Sequence, residues 1–150
     1  MFWAKLLRMP ERSFRFVVPG KPQPKQRARK GVGGRFYTPK ETREYEARVK
    51  SCAWAAMAQA GLLRRGAWPL DARYRVSVVI YPANARVPDG DNVLKAVQDG
   101  LNGLAWSDDR RSKMGSYDTR EPDRENPRVE VAVAVVSGQP VSDSVSAVSE

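Results

Sequence analysis

Carboxylates are concentrated in one short part of an otherwise basic chain. Residues 89–109 contain five aspartates and one lysine: Asp89, Asp91, Lys95, Asp99, Asp108 and Asp109. Carboxylates held close together repel one another, so the simplest explanation of such a group is a divalent cation among them. Mg²⁺ and Mn²⁺ prefer hard oxygen ligands and can activate water for hydrolysis of a phosphodiester. The cluster therefore favours metal-dependent phosphate chemistry, with Lys95 as a contact for the phosphate or the attacking water.

The same residues also have ordinary structural explanations. On a helix, Lys95 and Asp99 would follow Asp91 at four-residue steps and form solvent-facing ion pairs worth about 0.2–0.5 kcal/mol each. Aspartate also suits turns and helix N-caps, which would account for Asp89, for Asp91 and for the adjacent pair at 108–109. The metal hypothesis depends on convergence of a strand end, a helix start and a returning loop. Spacing alone leaves both explanations open.

The overall charge indicates an anionic partner. Lysine and arginine number 26 against 17 acidic residues, which gives a net charge of +9 over 150 residues. This balance favours a phosphate backbone or an anionic lipid. No apolar run approaches the roughly 20 residues of a membrane-spanning helix, and charge interrupts residues 1–8 too early for a signal peptide. We therefore expect a soluble, cytoplasmic protein of one domain.

The rarest residue types narrow the chemistry further. The chain has no histidine and a single cysteine, Cys52. These counts exclude Ser-His-Asp and Cys-His catalysis, histidine-bound zinc, an intrachain disulfide and a thiolate zinc site built from one chain. Catalysis must therefore use carboxylates, lysine, arginine, hydroxyls or metal-bound water.

Hydrophobic periodicity predicts the elements that position the cluster. Alternating apolar residues predict strands at residues 14–18, 73–81, 112–117 and 128–136. A helix is predicted from an N-cap at Thr38 to Gly61, and a second from an N-cap at Asp91 to about Gly103. Each helix has one apolar stripe, which favours an α+β (α/β) fold: a mixed sheet with two main helices on one face, in the order β-α-β-α-β-β.

A basic segment precedes the first helix. Residues 20–40 contain seven basic residues and no acidic one, together with prolines and glycines, and are predicted to form a flexible cationic loop. Beside a metal site, the segment would contact DNA phosphates through Lys21, Lys25, Arg27, Arg29, Lys30 and Arg35. Phe36 or Tyr37 would pack on a sugar or an unstacked base, or else at the entry to the helix. Such a loop can also be an ordinary solvated surface.

Two stretches together resemble a known family. The sequence PDGDNVLKAVQDGL at residues 88–101, followed by WSDD at residues 106–109, resembles the signature of the RusA family of Holliday junction resolvases, found largely in phages and prophages. PGKPQPKQRAR at residues 19–29 and RFYTP at residues 35–39 are similar to the basic N-terminal segment of that family. The resemblance covers about residues 14–136.

The resemblance implies a RusA-like fold and an activity. The implied protein is a homodimeric, Mg²⁺-dependent endonuclease, with Mn²⁺ as a substitute, that makes paired nicks in four-way DNA junctions during recombination and repair. By position in the motif, the implied catalytic residues are Asp89, Asp91, Lys95 and Asp109. The three aspartates among them are the implied metal ligands, and Asp99 and Asp108 match supporting positions. Gly100 departs from the family, which usually has alanine there.

The implied nuclease domain spans residues 14–136. Residues 1–13 would be an N-terminal extension, and the serine-rich residues 137–150 a disordered tail. One alternative is a non-catalytic nucleic-acid-binding module whose aspartates are turns and caps. A nuclease of the PD-(D/E)xK type is disfavoured because no acidic residue is followed two positions later by lysine.

Overall fold

The architecture is a sheet with two helices. A computed structural model of the chain describes residues 12–107 and 113–136. Along the chain the elements are β1 (Ser13–Pro19), β2 (Arg29–Lys30), β3 (Phe36–Tyr37), α1 (Lys40–Gln59), β4 (Tyr74–Tyr81), α2 (Gly90–Leu101), β5 (Lys113–Thr119) and β6 (Arg128–Val135). Asp108, Asp109, the predicted tail and most of the predicted extension lie outside the described residues. The proposed domain boundaries therefore remain predictions.

The four long strands form one mixed sheet in the order β1-β6-β4-β5. β4 and β5 are parallel, and the other two pairings are antiparallel. The predicted α+β fold is confirmed, and the long elements follow the predicted order. β2 and β3 pair with each other in a separate two-stranded ribbon, which lies within the segment predicted to be a flexible loop.

One face of the sheet carries the core and both helices. Phe16, Val131 and Val78 lie in register across β1, β6 and β4, and all three side chains are buried. The same core cluster contains the apolar side of α1, including Val49, and that of α2, including Val97. The prediction that both helices pack on one face is confirmed. Within the described ranges, no helix is both long enough and apolar enough to cross a membrane.

Helix α1 begins later than predicted, and helix α2 begins earlier. α1 begins at Lys40, and its N-cap is Pro39, without a side-chain hydrogen bond, rather than Thr38. α2 begins at Gly90 because Asp89, not Asp91, is the N-cap. The prediction of Asp91 as the N-cap is wrong. Asp89 and Asp91 are the same residue type two positions apart, so the sequence alone does not distinguish them as caps. Asp91 lies instead in the first turn of α2, and the helix ends at Leu101, before the expected Gly103.

Gly100 lies where α1 packs closely against α2. A Cβ atom placed on Gly100 would be 2.8 Å from Cβ of Val49 and 2.9 Å from the backbone oxygen of Glu46, both on α1. Real Cβ atoms essentially never come this close to backbone, so a side chain would push α1 away. The absence of a side chain at Gly100 therefore allows the observed spacing between the helices.

We expect Gly100→Ala to lower the free energy of unfolding by about 1–3 kcal/mol, the usual cost of overpacking a core. This loss exceeds the gain of up to about 1 kcal/mol in helix propensity. Urea denaturation monitored by circular dichroism would measure the difference. A gain in stability, which is the usual result at an unhindered helical glycine, would contradict the close approach of the helices.

Candidate active site and nucleic-acid interface

Asp89 and Asp91 lie near the carboxyl end of a parallel strand. α2 connects β4 to its parallel neighbour β5, so the N-terminus of α2 lies near the carboxyl ends of both strands. Ligand sites in parallel units form at this edge, because loops and helix N-termini converge there. Asp89 and Asp91 flank the first residue of α2. The topology thus brings both aspartates to one exposed edge of the sheet.

Asp89 caps α2 and remains able to bind a ligand. Its Oδ1 accepts hydrogen bonds from the backbone N–H groups of Asp91 (3.0 Å) and Asn92 (3.4 Å). Its Oδ2 accepts one from the side-chain amide of Asn92 at 3.2 Å. A carboxylate has about four lone-pair positions, so these bonds leave coordination capacity at the exposed oxygen. The helix and Asn92 together fix the orientation of the carboxylate.

Asp91 and Lys95 form an ion pair one turn apart. Nζ of Lys95 is 3.3 Å from Oδ2 of Asp91, and each side chain is 57% exposed. The predicted four-residue spacing on one helix face is therefore present. An exposed pair of this kind adds little stability to the fold. Both side chains are accessible to a substrate, and the same geometry also occurs on ordinary solvated helix surfaces.

Asp89 and Asp91 provide some of the oxygen ligands that a hard cation needs. In residues 12–107 and 113–136, no group of three or more acidic or cysteine side chains is close enough to hold a metal ion. Asp89 and Asp91 supply two oxygen donors, and Mg²⁺ is commonly bound by one or two carboxylates together with waters and substrate phosphates. The donor set therefore fits Mg²⁺. The predicted third ligand, Asp109, lies outside the described residues, as does Asp108.

Asp99 faces the basic segment. Its carboxylate forms an ion pair with Lys25, whose Nζ also lies 3.1 Å from Oε2 of Glu46 on α1. Burial alone would lower the pKa of Lys25, but the hydrogen bonds to Asp99 and Glu46 outweigh it and raise the pKa above its ordinary value. The stabilisation is present at neutral pH and is lost only as the pH rises through that raised value. Whether Lys25 also contacts DNA stays a prediction.

Further hydrogen bonds hold Lys25 and Gln26 in place. The N–H of Lys25 donates to the backbone oxygen of Asn92 at 2.9 Å. The N–H of Gln26 donates to Oγ1 of the fully buried Thr42 at 3.1 Å, and the Thr42 hydroxyl donates to the side-chain oxygen of Gln26. The basic segment is thus anchored beside the first turns of both helices. This point is next to Asp89 and Asp91, which we call the acidic pair.

Beyond this anchor, residues 27–38 form an exposed hairpin, which we call the hairpin arm. β2 and β3 pair Arg29 with Tyr37 and Lys30 with Phe36, and the N–H of Gly31 donates to the oxygen of Arg35 at 2.8 Å. Its cationic side chains are exposed: Arg27, Arg29, Lys30 and Arg35. Within the described part of the chain, none of these four forms an ion pair. The prediction of a flexible loop is wrong in this respect, because hydrogen bonds order the segment.

Three residues of the site were not identified from the sequence as functional. Asn92 orients Asp89 and receives the anchor, and Thr42 holds Gln26. The third is Tyr117 on β5, whose half-exposed ring lies against Gly90, between the two aspartates. Asn92 lies directly after the Asp-x-Asp pattern, which was an available signal. Tyr117 had none, because its contact depends on the pairing of β4 with β5.

We expect Gly90→Ala to destabilise the start of α2. A Cβ at this position would overlap the ring of Tyr117, so the ring must move or the helix must shift. Overpacking typically costs about 1–3 kcal/mol. Urea denaturation of Gly90→Ala, Tyr117→Ala and the double variant would measure the coupling between the two sites. The double variant should lose less free energy of unfolding than the two single variants lose together. Losses that simply add would contradict the contact between Gly90 and Tyr117.

A family model described as Endodeoxyribonuclease RusA matches residues 19–134 of the 150-residue chain. The matched range contains the basic segment, both helices and the whole acidic cluster. A search of curated proteins gave no significant match.

Proposed function

Because the chain belongs to the RusA endodeoxyribonuclease family, we propose that it is a Mg²⁺-dependent nuclease that resolves four-way DNA junctions by paired nicks. Its place would be DNA recombination and repair, in a phage or prophage context. One observation carries the proposal most directly: the hydrogen bond from Lys25 to Asn92 joins the basic segment to the acidic pair. A cationic segment and a pair of carboxylates thus lie next to each other within the matched part of the chain.

In this proposal the residues of α2 have distinct tasks. Asp89 and Asp91, with Asp109, would hold Mg²⁺, which would supply an activated water and positive charge for the reacting phosphate. Asn92 keeps the carboxylate of Asp89 in one orientation through the 3.2 Å hydrogen bond. Lys95, beside Asp91, neutralises a non-bridging phosphate oxygen as charge develops in the transition state. Asp99 and Asp108 support this arrangement.

The basic residues would bind the phosphate backbone. Lys21 and the four cations of the hairpin arm are exposed and positioned to neutralise phosphates. Affinity that comes from such contacts falls with salt, with a slope in log units of about 0.9 for each phosphate neutralised. Lys25 contributes chiefly by holding the segment in place through Glu46 and Asp99.

We also infer that the active form is a homodimer. A four-way junction has two strands to be cut in concert, and one acidic site cuts one strand. Two copies related by a two-fold axis would present two equivalent sites. Sedimentation should give twice the mass of the chain for the protein alone, and the mass of two chains plus one junction for the complex; a monomer on the junction with paired cleavage would contradict this.

The decisive experiment is cleavage of a labelled four-way junction. With Mg²⁺, symmetric nicks should appear in two opposite strands, while a linear duplex of the same sequence stays intact. EDTA should abolish cleavage, and Mn²⁺ should restore it, because the carboxylate pair has no catalytic substitute for the cation's charge. Binding without cleavage in any divalent ion would refute the nuclease and leave the binding module.

A non-catalytic binding module is the second candidate. It is favoured by the observation that Asp89 is an ordinary N-cap and Asp91 an ordinary ion-pair partner. In that case Asp89→Asn and Asp109→Asn would leave every activity unchanged and tighten DNA binding slightly, since each removes a negative charge.

A further inference from the structure

The hairpin arm carries apolar side chains that the fold does not bury. Phe36 is 72% exposed, and Val32 at the tip is fully exposed. Single exposed apolar residues are normal on protein surfaces. Here, however, they stand on an ordered arm together with four exposed cations and no acidic residue. Exposed cations together with an exposed aromatic ring are typical of surfaces that bind nucleic-acid bases as well as phosphates.

The two aromatic residues of the arm differ in their surroundings. The ring of Tyr37 lies against Gly31, where a Cβ atom would be only 3.2 Å from it, so Tyr37 packs within the hairpin itself. Phe36 directly precedes Tyr37 in β3, so its side chain points to the opposite face. Its cross-strand neighbour on that face is Lys30. Phe36 therefore presents a flat apolar surface next to a positive charge.

Building on the proposed junction nuclease, we propose that Phe36 stacks on a base at the branch point and so distinguishes a junction from a duplex. A single phosphate contact cannot make this distinction, because each arm of a junction has the backbone of a duplex. In a continuous duplex every base is stacked on both sides. At an open four-way branch the innermost base pairs each expose one face, on which an aromatic side chain can stack without regard to sequence.

The anchor places Phe36 within reach of both the branch and the site. Five residues separate Lys25, which is hydrogen-bonded to Asn92, from Lys30, which pairs with Phe36. Fully extended, this stretch spans at most about 18 Å, and the step across the strand pair to Phe36 adds about 5 Å. At 3.4 Å per base pair the total is about seven base pairs. Phe36 at the branch thus leaves the acidic pair beside a phosphate within about seven base pairs of it.

The test compares junction and duplex binding with the full-length protein. Ca²⁺ replaces Mg²⁺ so that DNA is bound without being cut, and 2-aminopurine at the branch reports stacking through its fluorescence. The variants are Phe36→Ala, Phe36→Leu, which keeps an apolar side chain, and Phe36→Trp, which keeps an aromatic one. Trp54→Ala is the matched control, because Trp54 is a 55% exposed aromatic residue on α1.

Phe36→Ala and Phe36→Leu should weaken junction binding by about five- to 150-fold, the effect of losing one stacked base. Duplex affinity should stay within about twofold, and the 2-aminopurine signal of bound junction should return towards that of free DNA. Phe36→Trp and Trp54→Ala should behave as wild type. Equal losses on junction and duplex, or no loss on either, would overturn the proposal.

The same experiment separates this inference from the proposed function. If the wild-type protein cuts junctions and Phe36→Ala leaves the ratio of junction to duplex affinity unchanged, the stacking role is refuted and the nuclease stands. If Phe36 supports junction preference but no divalent ion gives cleavage, the stacking role stands and the nuclease is refuted.

Discussion

Asp91→Asn is expected to lower the rate of junction cleavage by about a thousandfold or more, with junction affinity retained. The substitution keeps the shape of the side chain and removes a negative charge from the pair at the start of α2. Charge stabilisation by a correctly held cation is worth several kcal/mol in such reactions, and each 1.36 kcal/mol is a factor of ten. Single-turnover cleavage of a labelled junction in Mg²⁺ measures the rate, and fluorescence anisotropy in Ca²⁺ measures the affinity.

Asp118→Asn is the matched control for this variant. Asp118 is a 62% exposed aspartate that pairs with one cation, Arg120, and it lies on β5 facing away from Tyr117. Its rate should equal that of the wild type. The fold should tolerate Asp91→Asn as well, because the lost ion pair with Lys95 is worth only about 0.2–0.5 kcal/mol. Equal rates for Asp91→Asn and wild type would exclude Asp91 as a ligand.

Lys95→Met is expected to slow cleavage by about 100- to 1000-fold, the usual effect of removing one donor that stabilises transition-state charge. Methionine keeps most of the length and apolar stem of lysine, so helix α2 should be unaffected. Junction affinity should fall little, because at most one phosphate contact is lost. Cleavage rate and salt dependence of binding, measured on the same junction, separate these two effects.

Lys40→Met provides the comparison for Lys95. Lys40 forms an exposed ion pair with Glu44 at the same four-residue spacing, with Nζ 3.7 Å from Oε1, on α1. If Lys95 were only part of a solvated helix face, both lysine variants would keep wild-type rates. A large loss at Lys95 with none at Lys40 would identify a role in the reaction.

The fold was predictable because its long elements carry strong local patterns. The alternation in β4 and β6 and the apolar stripes of both helices identified four of the six long elements. The other two, β1 and β5, were predicted as shorter strands at residues 14–18 and 112–117, which completes the correct order. The helix starts were less certain, since a cap is decided by which carboxylate reaches the free N–H groups, and Asp89 and Asp91 are alike by type. The β2–β3 ribbon was missed because each strand has two residues, too few to show periodicity.

The site was predictable in its residue types and not in its connections. The spacing of Asp91 and Lys95 already implied the ion pair that the structure contains. The contacts of Lys25 with Asn92 and Asp99 join positions more than sixty residues apart in the sequence, and no local pattern encodes such a contact. For the same reason the sequence indicated a cation free for DNA at Lys25, where the structure has an ammonium group between two carboxylates.

The hydrogen bond between Lys25 and Asn92 has a thermodynamic consequence. Asn92 also orients the carboxylate of Asp89, so one residue contacts both the basic segment and the acidic pair. Linkage requires that two ligands of one protein affect each other reciprocally. If DNA on the basic segment raises the affinity for a divalent ion by some factor, the ion must raise the affinity for DNA by the same factor.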